Sequence, residues 1–319
     1  GCVGSLAGVY SASMSVFVVE NRESGNRGFC NLYEGTDPRR LNYGIYDEDV
    51  KERLLFVEDT IVPVLRHAIV ESGGVALKPL MARALHMGDE LHSRNTAASL
   101  LFAQQLFPHV LDYGDSSQAK SALAAITEDN YFFLRLSMAA AKVMADASHG
   151  VEYSSTVSAM AFNCRNFAIR VSGLGSQWIV GPHADVEAKL FADHTQDEIT
   201  WMGGESTITE TVGLGGFAQA AAFPLQKYQG GSAEAMVDRN LGLYEITVGE
   251  HPTFHIPYLG YRGTPTAIDV FKVQQTGIRP VMDIGIAGRD GGQIGAGIVS
   301  APMSIFNDAC DIYTNKYQT

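Results

Sequence analysis

No apolar run in the chain approaches the ~18 residues a membrane-spanning helix needs, and no charged start leads into a secretory-type apolar core. Cysteine is sparse. Cys2, Cys30, Cys164 and Cys310 lack the close C-x-x-C spacing of a zinc or redox site and read as reduced thiols of a cytoplasmic protein. Positive charge is also short, with 23 Lys and Arg against 35 Asp and Glu, a formal net charge of −12. An acidic surface repels phosphate backbones, and the densest basic spot, Arg39-Arg40, stands alone, so no nucleic-acid partner and no membrane are expected. Walker A, the full G-x-G-x-x-G and the G-x-S-x-G elbow are absent. No cofactor or resident metal is implied. What remains, 319 residues with 46% hydrophobic and 18% charged, is the composition of a soluble globular chain. The length suits two lobes or one large domain with an excursion.

The 33 glycines are unevenly spread, and that unevenness marks boundaries. Residues 1–46 are strand-rich: Met14–Glu20 is a β-branched and aromatic run, turned back at Gly25-Asn26 toward Phe29–Tyr33. This part is expected to pack with the C-terminal region. Residues 47–150 form a helical subdomain, with helical spacing over 47–72 broken or kinked at Pro63, then over 77–110 and 116–148. Ser117 is the expected N-cap of the last stretch, and Gly150 its stop. Residues 151–319 form an α+β domain with Gly-rich loops. Strands are expected at 167–171, 178–180, 281–286 and 297–299, and helices at 209–223, 233–244, 265–275 and 303–313. Strands flank a helical insertion without a regular strand–helix beat, so the fold class is α+β rather than a doubly wound sheet.

Three clusters carry possible chemistry. Ala84–Asn95 (ALHMGDELHSRN) is the densest. On a helix at about 100° per residue, His86, Asp89, Glu90 and Ser93 share a face, His92 lies on the flank and Asn95 opposite. His86 and Glu90, at i and i+4, are spaced to hold a proton, a metal or a ligand jointly. Two carboxylates on its own face are expected to raise the His86 pKa above the ordinary ~6.5. The spacing is not H-E-x-x-H, and a solvated, self-paired helix face is the plainer alternative. Gly88 within a helix costs ~1 kcal/mol relative to Ala, which suggests close approach of a backbone or ligand.

The second cluster, 201–216 (WMGGESTITETVGLGG), places Gly204, Ser206, Thr207 and Thr209 at an expected helix start, where N–H groups and hydroxyls suit an anion. Glu205 and Glu210 there need a proton, a cation or a donor, and Thr207 with Glu210 also matches an ordinary capping box. In the third cluster Thr264, Thr266 and Asp269 open a helix, and Gln293 lies between glycine pairs. The lone G-x-G at 295–297 is weak nucleotide evidence. Arg165 and Asn166 precede a strand, and Cys164 beside them is best read as a packed thiol.

The stretches SASMSVFVVEN (11–21), ALHMGDELHSRN (84–95), NYFFLRLSMAAAK (130–142), AIRVSGLG (168–175) and GGESTITETVGLGG (203–216) make the chain resemble a known family. GTPTAIDVFKVQQTGIRPVMDIGIA (263–287) and GQIGAG (292–297) continue the likeness. The family is bacterial, long a domain of unknown function, and contains the AllG-type subunit of oxamate carbamoyltransferase. The resemblance implies a carbamoyltransferase subunit of purine and allantoin catabolism, converting oxalurate and phosphate to oxamate and carbamoyl phosphate. It implies FdrA-type and other carbamoyltransferase subunits as partners, with a homo-oligomer also expected. Family chains carry an additional N-terminal α/β region, and a His-rich stretch where this chain has Cys2-Val-Gly-Ser. On this reading His86, Asp89 and Glu90 are catalytic, with His86 the proton donor. Gly204, Ser206 and Thr207 clamp phosphate, and Arg94 or Arg165 pairs the ureido acid's carboxylate. Asn95, Asn166, Glu205, Thr209, Thr264, Thr266, Asp269 and Gln293 complete the expected binding set. The alternatives are a non-catalytic assembly or ligand-binding subunit, or a metal-dependent amidohydrolase using His86, Glu90 and His92.

Overall fold

A computed structural model describes residues 1–4, 9–128, 130–200 and 202–318. The chain opens with a hairpin, β1 (Val16–Glu20) and β2 (Arg27–Asn31), in the register Val18↔Phe29. Six helices follow: α1 (Glu48–Phe56), α2 (Val62–Glu71), α3 (Leu77–His86), α4 (Thr96–Leu111), α5 (Ser116–Thr127) and α6 (Leu134–Ala147). Asp47 caps α1 by accepting from Val50 N at 2.9 Å. One π turn, Val57–Ile61, joins α1 to α2, so Pro63 falls in the first turn of α2, where its missing N–H costs little. The cap of α5 is Asp115, not Ser117, because the carboxylate reaches both Ser117 N and Gln118 N. Residues 77–110 are two helices, not one.

The second half begins with β3 (Val157–Phe162), β4 (Asn166–Val171), β5 (Trp178–Pro182) and β6 (Asp185–Leu190). Short helices α7 (Ile208–Thr211) and α8 (Leu225–Gln229) precede α9 (Ala233–Leu243), β7 (Thr247–Ile256) and β8 (Arg262–Ile268). The chain closes with α10 (Val270–Thr276), β9 (Val281–Ala287), β10 (Gln293–Ser300) and α11 (Met303–Tyr317). The sheets run β3-β4-β5 and β6-β10-β9, with the β7-β8 ribbon beside them, and every pairing between these strands is antiparallel. The fold is α+β. The expected helix over 209–223 is one turn followed by two 3₁₀ turns, and Thr264 to Thr266 lie in β8 rather than in a helix. The 295–297 motif is strand backbone: at Gly297 a Cβ would meet Glu187 O of β6 at 1.9 Å.

Burial is split between two main cores, with a small third cluster of Ala222, Leu225 and Met236. One joins the helices to the hairpin, with Phe17 and Phe102 each 6.1 Å from Phe132 between ring centroids. The hairpin therefore packs on the helical layer, chiefly on α6, instead of on the C-terminal sheets as expected. The other core gathers the sheets with α10 and α11, around Phe167, Ile284 and Phe306. The stretch between β2 and α1 crosses from one to the other: Tyr33 lies in the helical core and Tyr43 in the sheet core.

Candidate functional site

The polar centre lies at the seam of the two cores, and the loop after α3 builds it. This helix stops at His86, because Gly88 (φ 98°) and Leu91 (φ 70°) both take left-handed backbone. Left-handed φ is costly for leucine. Ser137 Oγ holds it by donating to Leu91 O at 2.8 Å, and Leu91 N donates to Arg94 O at 3.1 Å. The reversal turns Glu90 and His92 inward and leaves His86 outside. The expected shared face of His86, Asp89 and Glu90 therefore does not form. His86 is exposed against Tyr261 and His255, with ring centroids 5.3 and 6.4 Å away. Gly88 makes the turn; nothing nearer than Ala221 O, at 4.0 Å, would meet its Cβ, so it marks no close approach.

Asp89 is fully buried and accepts from Ala98 N at 2.8 Å, inside the first turn of α4. It serves as that helix's acceptor, and burial pushes its carboxyl up to about 6. Arg94 donates to Gly88 O (3.0 Å), and Asn95 to His92 O (2.7 Å). Both brace the loop.

His92 carries the geometry expected of His86. Its Nδ1 lies 2.7 Å from Glu210 Oε1 and 3.0 Å from Thr209 Oγ1. Burial opposes the imidazolium, but Glu210, with Asp283 behind it, outweighs burial and holds the His92 pKa above its ordinary value. Glu210 also accepts from Gly216 N (2.9 Å) and Asp283 N (3.1 Å), so it is not a capping-box partner of Thr207, whose hydroxyl goes to Met160 O (2.7 Å). Glu90 accepts from Ser93 N and Arg94 N, and its carboxyl faces that of Asp283. Burial pushes both carboxyls up; Asp283 raises that of Glu90 further and Glu210 that of Asp283, while His92 and the Glu90 carboxyl pull Asp283 the other way.

His92 and Ser206 line a void of about 20 Å³, roughly one water, which adjoins an outer cleft of about 440 Å³. Two buried guanidiniums reach this space. Arg40, 3% exposed, donates to Tyr33 Oη (2.7 Å), Gly35 O (3.0 Å) and Gln293 Oε1 (3.3 Å). Arg135, 2% exposed, donates to Asn31 Oδ1 at 3.2 Å, and among the described residues no carboxylate pairs with it. Tyr131 and Tyr228 are hydrogen-bonded to each other, and Gln293 donates to Tyr228. Burial holds the Tyr131 phenol well above its ordinary value, so it stays neutral.

Of the expected binding residues, Ser206, Thr209 and Gln293 come together here with Glu90. The rest do not. Arg165 is exposed in the β3–β4 turn, and Asn166 donates to Gly181 O (3.0 Å). Gly204 bridges the backbone of Phe162, and Glu205 accepts from Gly4 N (3.1 Å), its carboxyl raised by burial. Thr264 is buried in β8, its hydroxyl without a partner among the described residues, and Thr266 pairs with Gly249. Asp269 caps α10 through Lys272 N (2.9 Å). Trp201, quoted in the second cluster, lies outside the described residues. Among the described residues no three His, Cys, Asp or Glu side chains gather at metal-binding distance, so His86, Glu90 and His92 do not make the metal set considered from sequence.

Sequence reading passed over Arg40, Arg135 and Asp283. Each carried a signal: Arg40 as half of the one basic pair, Arg135 as a charge in an otherwise apolar run of α6, and Asp283 as a charge inside VMDIGIA.

The comparisons agree with one another. The crystal structure of a conserved protein of unknown function from Enterococcus faecalis has 38% identity and a TM-score of 0.95, over 98% of this chain and 76% of that one. The uncharacterized protein YahG of Escherichia coli K12 is 40% identical over 99% of this chain and 67% of its own length. The oxamate carbamoyltransferase subunit AllG of the same organism is 37% identical over 97% and 75%. The model of the family "Oxamate carbamoyltransferase subunit AllG" matches residues 1–206, and the chain belongs to that family.

Proposed function

We propose that the seam between the cores is a carbamoyl-transfer site, and that the chain works within a complex converting oxalurate and phosphate to oxamate and carbamoyl phosphate. The observation that carries this is Arg135, a guanidinium buried at a cavity with no carboxylate partner among the described residues. A buried cation is retained at a cost unless an anion arrives to meet it. Both substrates are anions, and Arg40, held by Tyr33, Gly35 and Gln293, lines the same cavity. Guanidinium forks suit carboxylate and phosphate equally.

The transfer balances with groups already in place. A phosphate oxygen bonds the ureido carbonyl carbon, and the carbon–nitrogen bond to the oxamate half breaks. The departing nitrogen takes a proton from His92, and His92 recovers one from the attacking phosphate. Glu210 keeps Nδ1 occupied, which leaves Nε2 to face the reacting atoms. FdrA-type subunits as partners, and a place downstream of allantoin, belong to the same proposal.

The test is to incubate the purified complex with oxalurate and phosphate and assay carbamoyl phosphate. His92→Asn should lower turnover by about 10²-fold or more with little change in melting temperature. Arg135→Met should abolish the calorimetric heat of phosphate or oxalurate binding to the isolated chain. No carbamoyl phosphate with every partner present would sink the assignment. Binding without turnover would make this a ligand-binding subunit.

A further inference from the structure

Ser93 is 3% exposed, yet it borders both the void and the cleft. Its hydroxyl oxygen accepts from Gln229 Nε2 at 3.2 Å, and among the described residues its hydrogen has no acceptor. The sense of that bond is decided further back. Arg239 can only donate, so its Nη1 turns the carbonyl of Gln219 toward itself. The Gln219 nitrogen then faces the other way, giving one hydrogen to the Asp283 carboxylate and one to Gln229 Oε1 at 3.3 Å. With its oxygen so occupied, Gln229 presents its nitrogen to Ser93. Amide orientations are usually ambiguous. Here a donor-only group and a carboxylate acceptor together leave each amide one way round.

We infer that Ser93 is a one-way donor to the reacting carbonyl, with Gln229, Gln219 and Arg239 as positioning residues that keep its hydrogen aimed at the ligand. This rests on the carbamoyl-transfer reading. When the phosphate oxygen bonds the ureido carbon, the carbonyl π pair moves onto oxygen, and the Ser93 hydrogen bond meets that charge. As the pair returns, the carbon–nitrogen bond breaks and the nitrogen takes its proton from His92. Adjacent residues thus divide the work: His92 moves the proton and Ser93 holds the oxyanion. A donor fixed in advance stabilises developing charge without reorganising at the moment of reaction.

The test uses the whole complex, with turnover on oxalurate and phosphate and calorimetric binding of oxalurate. Ser93→Ala should lower kcat by about 10²–10³-fold, and Ser93→Thr should restore most of it. Position 229 separates orientation from packing. Gln229→Leu frees the Ser93 hydroxyl without reversing it and should cost less than about tenfold. Gln229→Glu, once ionised, can only accept; it should pull the Ser93 hydrogen away and fall as far as Ser93→Ala, increasingly as pH rises. Equal activity in Gln229→Leu and Gln229→Glu, or wild-type kcat in Ser93→Ala, overturns the inference. The two serine variants decide it alone if changes at 229 disturb folding. A wild-type complex that turns over oxalurate beside a flat variant series removes only the role of Ser93. A complex that neither binds nor turns over oxalurate removes the carbamoyl-transfer reading and this inference with it.

Discussion

Among the described residues Asp283 Oδ2 is buried without a hydrogen-bond donor, while the Asp283 carboxyl faces that of Glu90. Two carboxylates in contact do not both ionise, so one proton shared between them is the arrangement that satisfies both. Infrared spectra at neutral pH should therefore show a protonated-carboxyl stretch that moves in D₂O. It should vanish in Glu90→Gln and in Asp283→Asn but persist in Asp89→Asn; a wild-type spectrum without it would refute the shared proton. The chemistry legible in the sequence was of this local kind. The ALHMGDELHSRN cluster supplies Glu90, His92 and Ser93 to the buried polar centre, where carboxylates distant in sequence raise the His92 pKa. A helical wheel places side chains by spacing alone, whereas the left-handed backbone at Gly88 and Leu91 decides which of them turn inward. Glu210 and Asp283 lie too far along the chain for any spacing rule to bring them to His92.

Elements were read more reliably where the pattern was long. The hairpin, α9, β9 and α11 stand close to where periodicity puts them, whereas the stretch expected helical over 116–148 is two helices, α5 and α6, and the helix expected from 265 starts only at Val270. The failures cluster where polar residues do structural work. Asp89 ends one helix's reach by starting another, and the glycines of 203–216 bend a segment that a propensity argument takes for a helix. β6 and β7 carry exposed, charged residues and offered little pattern to find. In β10, glycine is a requirement of sheet spacing. Gly297→Ala would drive a methyl into the β6 backbone at Glu187 and should destabilise by about 1–3 kcal/mol or more in chemical denaturation. An unchanged midpoint would mean that β6 and β10 are not held at this distance.

At the scale of the molecule, the buried site sets a pH dependence opposite to the usual acid denaturation. Asp89, at about 6, is raised by burial, as are Glu90 and Asp283; His92 is raised against burial by Glu210. A group whose folded pKa exceeds its unfolded value contributes stability that is full below the unfolded pKa and lost as pH rises through the folded one. For Asp89 that window runs from its ordinary 3.8 to about 6, a contribution on the order of 3 kcal/mol. Asp146, lowered by Lys142 and Arg170 despite burial, works the other way and loses its contribution on acidification. The melting temperature should therefore peak on the mildly acidic side of neutrality, and Asp89→Asn should flatten its decline toward neutral pH. A wild-type maximum above neutrality would contradict this balance.

The stretch from Tyr33 to Tyr43 crosses between the cores and carries Arg40 between them, its guanidinium carbon 5.5 and 5.0 Å from those two rings. An anion gripped by Arg40 and Arg135 together would act as a rivet, fastening this strap to α6. The strap's backbone has little regular structure to shield it, so occupancy of the site would be written in how fast its amide protons trade with water. The same strap that makes the pocket would also report, to anything that touches the outer face of residues 33–43, whether the pocket is full.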